Sequence, residues 1–332
     1  MPKTDIGIDL GSSNIVVYMR NKGVGISEPS MVAYDKDSDK VLAYGEEAAK
    51  LVERTSGNIV GIRPLKNGVI SDYSVMEKML RFFLMRAIGW RAFIKPRLSL
   101  SLPGGVTAVE RRACFEAAYQ AGAREVTMAR ESVAAAIGSG IDILKPVGNM
   151  IVDIGGATTK TAVISLGAPV VENSLRVGSD NISVAIARYV RRMHGLYIGE
   201  SLAESVKKEV GTVCERSGIR TMPVTGRDVV TGLPKTIRIS SDEVRQAAGD
   251  IASEIVESVH AVLEKTPPEL AADIVERGIV LTGGGSLLDG FEELIEERTG
   301  INAMTAENPM DSVAIGTGLY NEKLEELRMA EW

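Results

Sequence analysis

The sequence predicts an α/β protein built from two related lobes, and three observations carry that prediction. The chain has 332 residues, enough for roughly two domains of ordinary size. Strand-like and helix-like stretches alternate along it, the pattern of layered α/β architecture. A glycine-rich segment near the start also returns one domain length later. The composition agrees, with 45% hydrophobic and 25% charged residues, inside the globular range and far from the polar, highly charged corner where disorder lives.

The repeat is the most informative of the three. Ile6-Gly-Ile-Asp-Leu-Gly-Ser-Ser-Asn-Ile-Val-Val-Tyr18 and Met150-Ile-Val-Asp-Ile-Gly-Gly-Ala-Thr-Thr-Lys-Thr-Ala-Val163 share one pattern. In each, apolar residues lead to an Asp, then to a turn of small residues, then to apolar residues again. Each copy therefore reads as a β-hairpin with a strand ending beside Asp. Asp9 and Asp153 are 144 residues apart, a whole lobe rather than the ~20–50 residues of a solenoid repeat. The expected division is a first lobe over 1–145, with a small insertion at about 33–74, and a second over 146–320, with a small insertion at about 181–244. A polar helix over 321–332 would close the chain as a solvated end.

Between the hairpins, Ser74 is placed to cap a helix reaching Arg86, with Val75, Met76, Met79, Leu80 and Phe83 on one stripe. Leu98 to Leu102 reads as a strand ending at Pro103-Gly104-Gly105, and a helix follows from Ala108 to Ala121, stopped by Gly122. Farther on, Ser240 or Ser241 with Asp242-Glu243 starts a long helix, and Thr266-Pro-Pro-Glu269 starts another. Gly278 to Ser286 is a strand running into a third glycine loop, with helix-forming residues from Leu287 to Arg298.

A turn of Gly, Ser and Thr presents several backbone N–H groups in a concave nest that attracts phosphate oxygens. Ser12, Ser13, Thr158 and Thr159 could add hydroxyl donors. Asp9 and Asp153, each beside its loop, suit Mg²⁺ or its water shell, because that ion prefers oxygen ligands and keeps several waters. The triple glycine 283–285 allows close approach of a base or sugar. One such loop alone is an ordinary turn. Three, two of them in register with an Asp, point to ATP with a divalent metal in a cleft between the lobes. A Rossmann fingerprint fits poorly because these loops open strands rather than helices, and no Walker A lysine loop is present.

Charge and cysteine usage bound the alternatives. A net charge of −6 and a pI near 5.3 argue against a nucleic-acid partner. Cys114 and Cys214, the only two cysteines, form neither a disulfide framework nor a four-ligand metal site. The start lacks the apolar stretch of a secretory signal, and no apolar run approaches the ~20 residues that span a bilayer. A cytoplasmic protein is expected, one that does not cross a membrane, with attachment to a membrane surface left open.

The chain resembles the actin-like ATPase superfamily and, more closely and over nearly its whole length, the bacterial MreB-type cell-shape proteins. The resemblance rests on Asp9-Leu-Gly-Ser-Ser-Asn14, Glu28-Pro-Ser30, Gly57-Asn-Ile-Val60 with Arg63-Pro64, Val106-Thr-Ala-Val-Glu-Arg-Arg112 and Gln120-Ala-Gly-Ala-Arg124. It continues through Asp153-Ile-Gly-Gly156, Gly226-Arg-Asp228, Thr231-Gly-Leu-Pro-Lys235, Glu264 to Asp273 and Leu281-Thr-Gly-Gly-Gly285. It implies two RNase H-like lobes with ATP and Mg²⁺ between them, and paired filaments of self-associated copies on the inner membrane face that guide wall-synthesis membrane proteins.

Carried over by position, Ser12, Ser13 and Asn14 fall in the first phosphate loop, and Gly155, Gly156, Ala157 and Thr158 in the second. Gly284, Gly285, Ser286 and Leu287 fall in the adenosine loop, while Glu204, Ser205, Val206 and Lys207 match the base and ribose contacts. Glu131 matches the acid that orients the attacking water, with Thr158 beside it in the catalytic set. The chain departs from the family pattern at Arg130-Glu131-Ser132, where Glu-Glu-Pro is usual, and at Ala157, Lys160 and Ser179, where Gly, Glu and Gly are usual. Two added positive charges and a methyl group near the γ-phosphate region imply slow hydrolysis.

Arg86 to Arg97 carries four basic residues and no acid, with Ile88, Trp90, Phe93 and Ile94 among them, in a chain with only 5% aromatics. That mixture suits the headgroup region of an anionic bilayer, with about 1 kcal/mol from each Lys or Arg. The resemblance assigns the same segment to a membrane-insertion loop. A filament-forming cytoskeletal ATPase is thus the leading reading, ahead of a non-filament ATPase, a small-molecule kinase or a chaperone-type ATPase of the same superfamily.

Overall fold

The computed structural model describes residues 5–330 apart from 21, 56, 67–68, 90–94 and 103–106. The chain forms two compact units. Met1–Pro146, Ile164–Pro169 and Met310–Trp332 make the first, and Val147–Val163 with Val170–Pro309 the second.

The first unit opens with the antiparallel strands β1 (Asp5–Leu10), β2 (Asn14–Met19) and β3 (Gly23–Pro29). A small sheet of β4 (Val32–Asp35), β5 (Lys40–Tyr44) and, after α1 (Gly45–Arg54), β6 (Ile59–Ile62) follows. The short pair β7 (Leu65–Lys66) and β8 (Val69–Ile70) leads to α2 (Tyr73–Ile88), capped by Asp72, whose carboxylate accepts from the Val75 N–H. The expected cap, Ser74, therefore lies inside the first turn, because a carboxylate two residues earlier already satisfies the orphan donor.

The strand β9 (Arg97–Leu102) runs parallel to β1, and after α3 (Ala108–Gln120) β10 (Glu125–Arg130) runs parallel to β9. The sheet order is β10-β9-β1-β2-β3. All six residues of β9 are buried, as befits a central parallel strand covered on both faces. Arg97, itself buried, grips Asp5 through two hydrogen bonds of 2.7 and 2.8 Å, which holds that carboxyl below its ordinary range. α4 (Glu131–Gly138) follows β10 directly.

The second unit repeats the plan. β11 (Asn149–Ile154) lies at the same 144-residue offset from β1 as the sequence repeat, and β12 (Thr159–Ser165) and β13 (Ala168–Leu175) follow it. The excursion through α5 (Ser179–His194), β14 (Leu196–Tyr197), α6 (Glu200–Val210), β15 (Thr221–Asp228) and β16 (Pro234–Ser240) adds a second, three-stranded sheet. Ser240 then caps α7 (Ser241–Leu263) in a capping box with Glu243, and α8 (Pro268–Arg277) starts on its proline. β17 (Ile279–Thr282), α9 (Phe291–Thr299) and β18 (Ala303–Thr305) complete the main sheet, in the order β13-β12-β11-β17-β18. That is the strand order of the first unit, so the two hairpins sit at equivalent places in two equivalent sheets.

The last helix, α10 (Ser312–Ala330), departs from expectation. It is one continuous helix rather than a polar end beginning near 321, and it packs on α4 and β1 of the first unit. Glycine is the reason. A Cβ on Gly316 would collide with the Ala134 carbonyl, one on Gly138 with the Ser312 carbonyl, and one on Gly7 with the Gly318 backbone. Such backbone contact, with Val313, Ala314 and Thr317 buried alongside, was invisible to a reading based on side-chain polarity.

Replacing Gly316 with Val should therefore destabilise the chain by about 1–3 kcal/mol through forced separation of α4 and α10. A melting temperature several degrees lower by circular dichroism is expected, whereas wild-type melting would show that the two helices have room to spare.

Candidate functional site

In the first unit the loop between β1 and β2 is held by residues far away in sequence. The Ser30 hydroxyl donates to the Gly11 carbonyl at 2.7 Å, the Ser30 N–H to the Ser13 carbonyl at 2.9 Å, and Arg63 Nη1 to the Ser12 and Ser13 carbonyls at 3.2 Å each. In a trans peptide the C=O of one residue and the N–H of the next point in opposite directions. Pinning the carbonyls of Gly11, Ser12 and Ser13 therefore turns the N–H groups of Ser12, Ser13 and Asn14 the other way, which is a nest suited to an anion.

Asp9 precedes this loop, and its Oδ1 accepts from the Ser101 hydroxyl at 2.6 Å. The registers Asp9 to Ser101 and Ser101 to Ala129 place Asp9 in one row across β1, β9 and β10. Glu131 starts α4 two residues beyond Ala129, so it shares the carboxyl-terminal edge of the sheet with Asp9. It is 9% exposed, far from a surface glutamate.

In the second unit the equivalent turn closes with the Gly155 N–H donating to the Thr158 carbonyl at 2.9 Å. The Gly155 and Gly156 carbonyls accept from the Ser179 and Asp180 N–H groups at 2.9 and 2.8 Å. Here the amino-terminal turn of α5 does what Ser30 and Arg63 do in the first unit, and the N–H groups of Gly156 and Ala157 face away from it. A Cβ on Gly178 would strike the Gly155 and Gly156 carbonyls, which is why glycine stands there. Thr158 is half-buried on the turn.

The remaining expected residues of this unit join the same region. Lys207, 6% exposed, donates from Nζ to the Ser179 carbonyl at 2.9 Å and pairs with Glu204 at 2.5 Å. Burial alone would push the Glu204 carboxyl up, but the Lys207 ammonium and the Ser183 hydroxyl outweigh it and the pKa falls below its ordinary value. Ser205 is exposed on α6, with its hydroxyl turned to the Ser201 carbonyl. Val206 is fully buried in the core, so only its backbone could face a ligand.

Gly284 to Leu287 form a 3-10 turn in which Ser286 is buried against the Gly283 carbonyl and Leu287 is exposed. The glycines of this loop serve the protein itself. Gly283 has φ +81°, and a Cβ there would strike Ile154 and Asp153, as one on Gly285 would strike Ile154. Only Gly284 is exposed.

The Asp9 carboxylate, partly exposed at a strand end, is the hard oxygen donor that Mg²⁺ accepts, and it fits that ion. At Asp153 the donor set differs. Asp153 is 5% exposed, and Lys160, 3% exposed, lies on the adjoining strand of the same hairpin. Of the expected membrane residues, Ile88 ends α2, partly buried against the first unit's core, while Trp90, Phe93 and Ile94 lie outside the described residues. No described helix is long and apolar enough to cross a membrane.

Arg63, Ser30 and Ser101 are the supporting residues that sequence reasoning missed. The only available signal was that Ser30 and Arg63 fall in segments that carry the family resemblance.

The MreB/Mbl protein family profile matches residues 3–329. The cell shape-determining protein Mbl of Bacillus subtilis is 46% identical over 323 residues, spanning 97% of each chain. The cell shape-determining protein MreB of Escherichia coli is 43% identical over 331 residues, covering 98% of this chain and 95% of that one. Crystal structures of MreB5 of Spiroplasma citri superpose with a TM-score of 0.92. The form bound to ADP is 35% identical and covers 98% of both chains, and the form bound to AMPPNP is 34% identical and covers all of both. The fold is accordingly actin-like. The chain belongs to the MreB/Mbl family.

The pinning of the first loop can be tested through Arg63→Ala. ATP affinity by calorimetry should fall about tenfold while the melting temperature stays near wild type; unchanged affinity would show that the loop keeps its shape without the guanidinium.

Proposed function

We propose that this chain binds ATP with Mg²⁺, hydrolyses it slowly, and assembles into filaments on the inner face of the cell membrane that organise cell shape and wall synthesis. The observation that carries this reading is a duplicated hairpin turn, its carbonyls pinned and its N–H groups turned to one side in both copies, in a chain that matches a cell-shape protein over 97% of its length. ADP and AMPPNP bound to MreB5 of Spiroplasma citri support a nucleotide as the ligand.

In this reading Ser12, Ser13 and Asn14 of one loop and Gly155 to Thr158 of the other contact phosphates. Glu204 to Lys207 and Gly284 to Leu287 contact the nucleoside. Mg²⁺, when bound, offsets polyphosphate charge, with Asp9 holding it or its water shell. Glu131 accepts a hydrogen bond from the attacking water and orients it, and Thr158 holds the phosphate end. Arg130 and Lys160 bring positive charge where hydrolysis benefits from an acid, so turnover is slow.

Filaments form from copies of the chain in head-to-tail contact, an interface that need not close into a ring. Ile88, Trp90, Phe93 and Ile94 dock the filament on an anionic membrane surface, and wall-synthesis membrane proteins are its partners. The protein is then cytoplasmic and peripheral to the membrane. One short loop binds weakly, but a filament repeats it and gains avidity.

Glu131→Ala should keep ATP affinity within about threefold of wild type while phosphate release falls about a hundredfold; equal turnover would remove Glu131 from the water-orienting role. With ATP and Mg²⁺ the wild-type protein should pellet and show filaments by electron microscopy, and Trp90→Ser with Phe93→Ser should release them from anionic liposomes without reducing pelleting in lipid-free buffer. Monomers under every nucleotide and lipid condition would sink the filament reading.

A further inference from the structure

The two hairpins share one backbone plan and differ, among other positions, in the side chain opposite the strand-end aspartate. In the first, the strand register sets Leu10 opposite Ile15 and Asp9 opposite Val16. The second has the same geometry. β11 ends at Ile154, β12 begins at Thr159, and the Gly155 N–H closes the turn on the Thr158 carbonyl. In both turns a Cβ on the leading glycine would meet the closing carbonyl, at 2.7 Å for Gly11 and Asn14 and at 3.0 Å for Gly155 and Thr158. The same count therefore sets Ile154 opposite Thr159 and Asp153 opposite Lys160. Residues directly opposite on antiparallel strands share one face of the sheet, with Cβ atoms about 5 Å apart.

Where the first hairpin has a buried valine, 4% exposed, the second has a lysine only 3% exposed beside an aspartate only 5% exposed. A charge buried that deeply is tolerated when an opposite charge compensates it. We propose that Lys160 is a built-in counter-cation to Asp153, so that the second phosphate loop accepts a nucleoside triphosphate without a divalent metal at that carboxylate. The ammonium supplies at this position the positive charge a metal would otherwise bring, and it supplies it permanently. The loop next to it, Gly155 to Thr158, then receives an anion in a locally neutral rather than negative setting. Asp9, opposite an apolar side chain, keeps the role of metal-side carboxylate.

This inference rests on the ATP-binding reading above, and the test separates the two. ATP affinity is measured by calorimetry on the full chain in saturating Mg²⁺ and again in excess EDTA, for wild type, Lys160→Met and Lys160→Arg. The wild-type protein should lose less than about tenfold in affinity when Mg²⁺ is removed. Lys160→Met should lose at least a further tenfold in EDTA yet stay within about threefold of wild type in Mg²⁺, because the metal replaces the missing charge. Lys160→Arg should behave as wild type. The proposal is overturned if wild-type binding vanishes in EDTA, or if Lys160→Met binds metal-free ATP as tightly as wild type. Absence of binding in Mg²⁺ as well would instead remove the ATP reading. The wild-type comparison decides the matter even if Lys160→Met does not fold, since it needs no substitution.

Discussion

Close contact of backbone with backbone, at places where a side chain would not fit, is the constraint on which the rest of this structure depends. In the first unit Gly7 and Gly318, and Gly138 and Gly316, let α10 lie directly on β1 and α4. In the second, Gly178 lets α5 begin against the Gly155 and Gly156 carbonyls, and Gly283 lets the β17 turn lie against the end of β11. Dense packing transmits position, because interiors have few voids to absorb a shift. The consequence is that α4, the end of β11 and the second glycine turn each have a backbone neighbour within contact distance. The first phosphate turn is the exception, since its carbonyls are held by Ser30 and Arg63.

This difference explains what could be read from the sequence. The duplicated hairpins were legible because a strand ending in Asp and a turn of small residues leave a local signature, and both copies carry it 144 residues apart. The capping box at Ser240 and the proline start of α8 were legible for the same reason. The attachment of α10 to the first unit was not. It depends on glycines nearly two hundred residues from their partners on α4, and polarity past residue 320 pointed to a solvated end. Arg63 stands in a segment that carries the family resemblance, but nothing beside it in sequence says that its guanidinium shapes a loop fifty residues earlier.

The glycines of the third loop teach a related lesson. Their spacing suggested room for a base or sugar, yet Gly283 and Gly285 are required by Ile154 and Asp153 of the protein itself, and only Gly284 is exposed. The residue type does mark close approach, and the approaching groups in this structure are the protein's own. A glycine marks close approach, but the sequence does not say whether the approaching group is ligand or backbone.

Duplication also lets the two copies diverge where a single copy could not. Asp9 is satisfied by the Ser101 hydroxyl and remains partly exposed, so its carboxylate keeps the acceptor character a hard cation needs. Asp153 is buried on a strand whose neighbour carries Lys160, so its charge is committed within the fold. The two roles proposed above, an anion site at one hairpin and a metal-side carboxylate at the other, need no change in the hairpin backbone that both copies share.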